Sequence, residues 1–176
     1  GGWGIGEGIR MSSVYDGLLL TAPAFSPPNT DNVGGWDLSK IQVGALNNDC
    51  YIANGFHHIT VGFIDSWRFG MGDNLAALRN RTIAATGLKR EAMYIGRVDS
   101  LQANTLSIFQ AGQMIMDKGA NNSLTDHIAD FLLDGHASSL EHRSGRTQIT
   151  RLYATEEATP VQAHKILMTD GLLNIA

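Results

Sequence analysis

The sequence predicts an α+β fold, with an irregular mixed α/β module over residues 1–73 and a helical hairpin over residues 74–140. Three observations favour this class. Short apolar runs broken by Pro, Gly and Asn fill the first part, where turns interrupt any long element. After residue 74, apolar residues recur at steps of three and four, as on one face of a helix. The change between the patterns falls at Phe69-Gly70-Met71-Gly72-Asp73-Asn74.

This glycine-containing stretch predicts a turn from a strand into a helix. Gly70 and Gly72 are separated by one residue, and glycine adopts positive φ without steric cost. Asp73 or Asn74 then offers a side-chain oxygen to the free amides at the start of the next helix. We therefore interpret Gly70, Gly72 and Asp73 as structural turn residues.

Further turns divide the first module. Asp16-Gly17 lies between two apolar runs, which is a hairpin signal, and Gly34-Gly35 marks a second turn. Ile41-Gln42-Val43 is predicted to form a short strand that Asn47-Asn48-Asp49 closes.

Residues 50–69 fit two patterns. Ile59, Val61 and Phe63 alternate as in a strand, whereas Phe56, Ile59, Phe63 and Trp67 keep helical spacing. The second pattern favours a helix from about Phe56, and a strand is the alternative.

The second module is predicted to be mainly helical from Asn74 to about Gly135, with a polar, exposed segment after it. One helix follows Asn74 and ends near Gly87, and a longer helix covers residues 89–118. Ser123 and Asp126 form a variant capping box for a third helix that ends near Gly135 and packs against the second. The longer helix carries a heptad-like stripe made by Tyr94, Val98, Leu101, Thr105, Ile108, Gly112 and Ile115.

The last segment, residues 141–176, is predicted to be extended with one short helix, and to pack back onto the chain or onto a partner. Residues 149–153 fit a short strand or an extended segment. Thr159-Pro160 resembles a helix start, so a short helix is predicted over residues 161–168. The apolar residues from Leu172 onward favour burial against another surface.

The composition excludes several classes of protein. The 176 residues carry a net charge of −4 with a pI near 5.8, which argues against a basic nucleic-acid-binding face on this chain. Any contact with nucleic acid is therefore expected to be indirect. No apolar run is long enough for a membrane helix, and no signal peptide precedes the first turn. We expect an intracellular location, with a virion or an organelle as possible compartments.

No motif in the sequence forms an active site by itself. Cys50 is the only cysteine, so neither an intrachain disulfide nor a cysteine-based zinc site is expected. The six histidines match no ligand spacing, and no phosphate-binding or dinucleotide-binding loop is found. We therefore expect no catalytic residue, no metal and no cofactor bound by this chain.

The order of the turns resembles a known family. Tyr15-Asp16-Gly17-Leu18-Leu19, then Gly34-Gly35, then Phe69-Gly70-Met71-Gly72-Asp73 resemble the pore region of the largest (β′-like) subunit of multi-subunit DNA-dependent RNA polymerases. Asn122-Ser123-Leu124 resembles the start of the second funnel helix. Residues 165–171 resemble the approach to a glycine-rich segment beside the active centre.

The resemblance implies a role without chemistry. The chain would be a fragment or split subunit that forms the wall of the nucleotide-entry pore and funnel of a nucleotidyltransferase used in transcription. The Asp-rich loop that holds catalytic magnesium in that family is absent here, so magnesium would be bound by another chain. The partners would be other protein subunits of a viral or organellar enzyme.

Two other classes remain open. A structural subunit of a virion or filament is the main alternative, because it also explains the low charge and the loops rich in Asn, Gly and Thr. A small enzyme acting alone has the least support, since no catalytic constellation is found.

Overall fold

The computed structural model describes residues 4–21, 35–45, 47–53, 58–67, 91–119, 124–155 and 166–176. All regular secondary structure within these ranges is β-strand. The twelve strands are β1 (Gly4–Gly6), β2 (Ile9–Val14), β3 (Leu18–Thr21), β4 (Trp36–Ala45), β5 (Cys50–Ala53), β6 (His58–Trp67), β7 (Glu91–Ile95), β8 (Ser100–Met116), β9 (Thr125–His142), β10 (Arg146–Ala154), β11 (Ile166–Met168) and β12 (Leu172–Ile175).

Every strand pair is parallel, and the pairs form two columns. The first column runs from β1 and β2 through β4, β6, the first half of β8, the first half of β9 and β10 to β12. The second column runs from β3 through β5, β7 and the second halves of β8 and β9 to β11. The chain visits the first column, then the second, and returns one layer further on. This is a parallel β-solenoid, in which each coil contacts only its neighbours.

Side chains of equal character stack from coil to coil on the inside. One inner ladder, a row of paired residues in successive coils, consists of buried aliphatic residues. Its members are Leu38, Val61, Ala103, Ile128 and Ile149. Because a strand points successive side chains to opposite faces, the preceding position lies outside. That outer ladder consists of exposed polar residues, namely Asp37, Thr60, Gln102, His127 and Gln148.

The coils that contain β4, β6, β8 and β9 break this alternation at the same place. Two consecutive residues, such as Ser39-Lys40 and Asn104-Thr105, are not part of the core, and the next residue is buried again. Gly62 occupies this corner in β6, where an added Cβ would clash with the Ser39 carbonyl oxygen. The corner bends the strand so that the inner face wraps around one core.

The predicted helical hairpin is wrong. Within residues 74–140, every described regular element is a strand, including β7, β8 and β9, and residues 166–168 form β11 instead of the end of a helix. The helix predicted from about Phe56 is also a strand, β6. The α+β class is therefore replaced by an all-β class. The division of the chain at residues 73 and 140 stays a prediction.

The reason for the error lies in the corners. Inside β8, core residues follow one another at Leu101, Ala103, Leu106 and Ile108, because the corner adds one residue to the two-residue repeat. Core residues spaced by two and three positions then resemble the three- and four-residue spacing of a helix. The predicted stripe therefore mixed outer residues such as Thr105 with core residues such as Leu101.

Several local predictions were more accurate. Residues 41–43 lie in β4, residues 149–153 lie in β10, and a turn separates β2 from β3 at Asp16. The turn does not make a hairpin, however, because β2 pairs with β4 and β3 pairs with β5. The helix after Asn74, which was to end near Gly87, and the helix start at Thr159-Pro160 lie outside the described residues. No helix in the described ranges could span a membrane.

The corner at Gly62 generates a stability prediction. Gly62→Ala should lower the free energy of unfolding by about 1–3 kcal/mol, because the new methyl group must displace the backbone of the neighbouring coil. Denaturant unfolding followed by tryptophan fluorescence measures this change. Thr60→Ala, at an exposed position of the same strand, is the matched control. Equal stability of the two variants would contradict the close stacking of coils.

Candidate functional site

The sequence-predicted turn residues do not form one site. Asp16 and Gly17 lie at the turn between β2 and β3, and Gly35 lies immediately before β4. Gly34, Gly70, Gly72 and Asp73 lie outside the described residues.

Asp16 and Gly17 connect the first coil to the second through hydrogen bonds. The Asp16 Oδ1 atom accepts hydrogen bonds from Asn47 Nδ2 at 2.9 Å and from the Asn48 backbone amide at 3.3 Å. The Gly17 amide donates to the Asn48 carbonyl oxygen at 2.8 Å. A Cβ at Gly17 would clash with Val43 and with the Asp49 carbonyl oxygen, so the glycine allows two turns to stack. These contacts link two stacked turns, and the structural role of both residues stays a prediction.

A first group of buried polar side chains surrounds Asp49 and Asp65. Asp49 is fully buried, and its carboxylate accepts hydrogen bonds from the Ala45 amide and the Ser66 hydroxyl. Asp65 lies on the outer side of β6 but is only 5% exposed. Burial raises the pKa of Asp65, while hydrogen bonds from Ser107 and Gln42 oppose that rise.

The thiol next to this group is inert. Cys50 is fully buried in the core, and burial together with the nearby Asp49 carboxylate raises its pKa to about 12. A thiol with so high a pKa carries almost no thiolate at neutral pH, so it cannot act as a nucleophile.

A second group lies at the turns that lead from the second column back to the first. Lys118 Nζ and Asp126 Oδ2 form an ion pair at 2.9 Å, and both side chains are almost fully buried. Asp126 Oδ1 also accepts the Leu101 amide at 2.8 Å. Burial lowers the pKa of Lys118 and raises that of Asp126, although their mutual attraction opposes both changes. The pair joins the successive coils of β8 and β9 at one point.

His142 extends this group toward the last coil. Its Nδ1 atom lies 2.9 Å from the Asp170 carbonyl oxygen, which only accepts, so Nδ1 carries a proton and donates. Its Nε2 atom lies 3.1 Å from the Thr147 hydroxyl, which is also 3.5 Å from the Met116 sulfur. Gly171 has a φ of 84° and packs against the His142 ring. His142 thus holds the turn that precedes β12.

The geometry of both groups favours structural roles. Lys118, Asp126, His142 and Asp49 are each 2% exposed or less, so a substrate in solution does not reach them. In the described ranges, no cluster of three or more His, Cys, Asp or Glu side chains could hold a metal ion.

The inner faces of β11 and β12, in contrast, are partly exposed. Ile175 continues the inner ladder of Ile128 and Ile149, which are almost fully buried, yet Ile175 is 39% exposed. Met168 follows Met116 and His142 on the inside of the second column and is 54% exposed. This exposed inner face of β11 and β12 is the candidate interaction surface.

Sequence reasoning missed the repeat that produces this surface. Gly145 and Gly171 both have positive φ, and each is followed four residues later by an inner isoleucine, Ile149 or Ile175. The interval from Leu38 to Val61 is 23 residues, and from Ile128 to Ile149 it is 21. A search for aliphatic residues at this approximate interval could have indicated a solenoid.

Comparisons with protein-family models, curated proteins and solved structures found no match to this chain.

The buried ion pair generates a second prediction. Lys118→Met should lower the free energy of unfolding by about 3–5 kcal/mol, because it leaves the Asp126 carboxylate buried and unpaired. The double variant Lys118→Met with Asp126→Asn should recover much of that loss, since no net charge remains and the amide oxygen still accepts from Leu101. Denaturant unfolding of both variants measures the difference.

Arg151→Met is the control for this comparison, because Arg151 pairs with Asp130 at the exposed surface and should matter little. A double variant that is less stable than the single variant would contradict this account of the pair.

Asp65 generates a pH prediction. Its pKa in the folded protein lies above the ordinary value of 3.8, so the folded state holds the proton more tightly than the unfolded chain. The free energy of unfolding therefore falls as pH rises from below 3.8 through the folded pKa, and the loss persists at neutral pH. Asp65→Asn should be at least as stable as the native chain at pH 7, and the advantage should vanish below pH 3.8.

Thermal or denaturant unfolding at several pH values tests this prediction. Asp37→Asn makes the same substitution at an exposed position and controls for the change in net charge. A larger destabilisation by Asp65→Asn at pH 7 than at pH 3 would contradict it.

Proposed function

We propose that this chain is a structural subunit of a larger protein assembly, such as a virion or filament. The observation that carries the proposal is the inner face of β11 and β12, where the inner-ladder residues Met168 and Ile175 are exposed. A solenoid buries each coil against the next, so this face needs a further coil, a cap or a partner to cover it. A subunit that contacts others through this face meets that need.

The outer surface supports the same function. The outer ladder of the first column is made of exposed polar residues with no apolar member between Asp37 and Asn174. Lys118, Asp126 and Asp65, whose pKa values are shifted by burial, form contacts between coils instead of lining an open cleft. These features suit a rigid spacer more than a catalytic surface.

The polymerase pore remains a second proposal with less support. The family resemblance implied a helical hairpin for the funnel, and the described residues of that segment are strands. The glycines that carried the closest likeness, Gly70 and Gly72, lie outside the described residues. Purification of the chain from its natural source distinguishes the two. Many identical copies favour a virion or filament, whereas a companion chain bearing an Asp-rich magnesium loop favours the polymerase.

The behaviour of the chain alone tests the structural proposal. Because the end coil exposes Met168, Leu172 and Ile175, the isolated chain should associate irregularly or leave solution as its concentration rises. Sedimentation velocity over a range of concentrations measures this behaviour. A monodisperse 19.0 kDa monomer at every concentration, with one cooperative melting transition, would contradict the proposal.

A further inference from the structure

We propose that Lys118 and Asp126 condense into an intramolecular isopeptide bond, an amide between Lys118 Nζ and Asp126 Cγ, with release of one water molecule. The bond would link the turn after β8 to the start of β9. This inference goes beyond the proposed structural function and does not depend on it.

The two reacting groups are held in contact inside the solenoid. Lys118 Nζ lies 2.9 Å from Asp126 Oδ2, and both side chains are at most 1% exposed. Because Oδ2 is bonded to Cγ, Nζ lies within about 4 Å of Cγ, close to the ~3–3.5 Å at which reacting atoms are placed for attack. The stem of Lys118 is confined as well, since a Cβ at Gly145 would clash with its Cγ atom. Little motion is therefore needed to bring nitrogen and carbon together.

The contact is close but poorly aligned for a stable ion pair. Among the described residues, neither Lys118 Nζ nor Asp126 Oδ2 makes a well-aligned hydrogen bond, although both atoms are buried. An ammonium group carries three donors, and burial without hydrogen bonds has a large desolvation cost. Condensation removes both charges from the interior and leaves one neutral amide in their place.

Burial favours the uncharged forms that the reaction requires. Desolvation lowers the pKa of Lys118 and raises that of Asp126, although their mutual attraction opposes both changes. Proton transfer from Nζ to Oδ2 across the 2.9 Å contact gives a neutral amine and a neutral carboxylic acid. The amine is then a nucleophile, and the acid carries no negative charge that would repel its lone pair.

The atoms balance without a further reactant. The Nζ lone pair forms a bond to Cγ, and an electron pair of the C=O bond moves onto Oδ1. The Leu101 amide, 2.8 Å from Oδ1, donates a hydrogen bond to this developing oxyanion. When the C=O bond forms again, the Cγ–Oδ2 bond breaks, and the protonated Oδ2 takes a second proton from nitrogen and leaves as water. Oδ1 stays as the amide oxygen and still accepts from Leu101.

The mass of the intact full chain tests this inference. When the folded chain has been stored until its mass is constant, that mass should be one water, about 18 Da, below the mass of the sequence. Trypsin should also fail to cleave after Lys118, because its nitrogen is acylated. Digestion should therefore yield residues 98–143 as one peptide that is lighter by one water, instead of the separate peptides 98–118 and 119–143.

Two variants assign the bond to Lys118. Lys118→Arg keeps a positive charge but presents no amine, so its mass should equal that of its own sequence. Lys40→Arg makes the same substitution at an exposed position and should lose water as the native chain does. If Lys118→Arg does not fold, the peptide map of the native chain still decides the question.

Three results would overturn the inference. The first is a native chain with the full mass of its sequence and normal cleavage after Lys118. The second is loss of water with normal cleavage after Lys118, because a cyclic imide between an aspartate side chain and the backbone would then explain the mass. The third is loss of water that persists in Lys118→Arg.

Discussion

Each coil of this protein depends on its neighbours for both its backbone hydrogen bonds and the burial of its inner face. All strand pairs in the described residues are parallel, so a strand finds no partner within its own coil. A single coil would expose its amides and carbonyl groups together with half of its apolar side chains. Stability must therefore come from stacking, and the ladders of equal residues are the form that stacking takes.

The polar residues inside the solenoid follow from the same constraint. Where a ladder changes from Leu101 to Asp126 and then to Thr147, the carboxylate must find partners within the stack. Lys118 and the Leu101 amide supply them. His142 likewise stabilises the turn before β12, because its Nδ1 atom donates a hydrogen bond to the Asp170 carbonyl oxygen. These contacts join neighbouring coils at positions where the inner ladder is polar.

The sequence predicted turns and short strands better than it predicted the fold. Asp16-Gly17 and Asn47-Asn48-Asp49 were identified as turns because Gly, Asn and Asp favour turns for local reasons. Which strand pairs with which is not a local property, so the local pattern at Asp16-Gly17 predicts a hairpin that the structure does not form. The pattern of residues 89–140 predicts helices because the corners turn a two-residue repeat into steps of two and three.

The candidate surface could be predicted from local pattern only in part. The apolar residues from Leu172 onward indicate burial against another surface, which is consistent with a subunit of an assembly. The reason that Ile175 is exposed, however, appears only when it is aligned with Ile149 and Ile128 across coils. The repeat that aligns them is degenerate, since 42 residues separate Val61 from Ala103 but only 21 separate Ile128 from Ile149.

Distances between spin labels along the outer ladder test the parallel stacking of coils most directly. Labels at Asp37 paired with His127 or Gln148 should give narrow distributions near about 14 Å and 19 Å, because each coil adds about 4.8 Å. The distance should grow by one constant step per coil. Broad distributions, or distances that do not increase in the order of the coils, would contradict the solenoid.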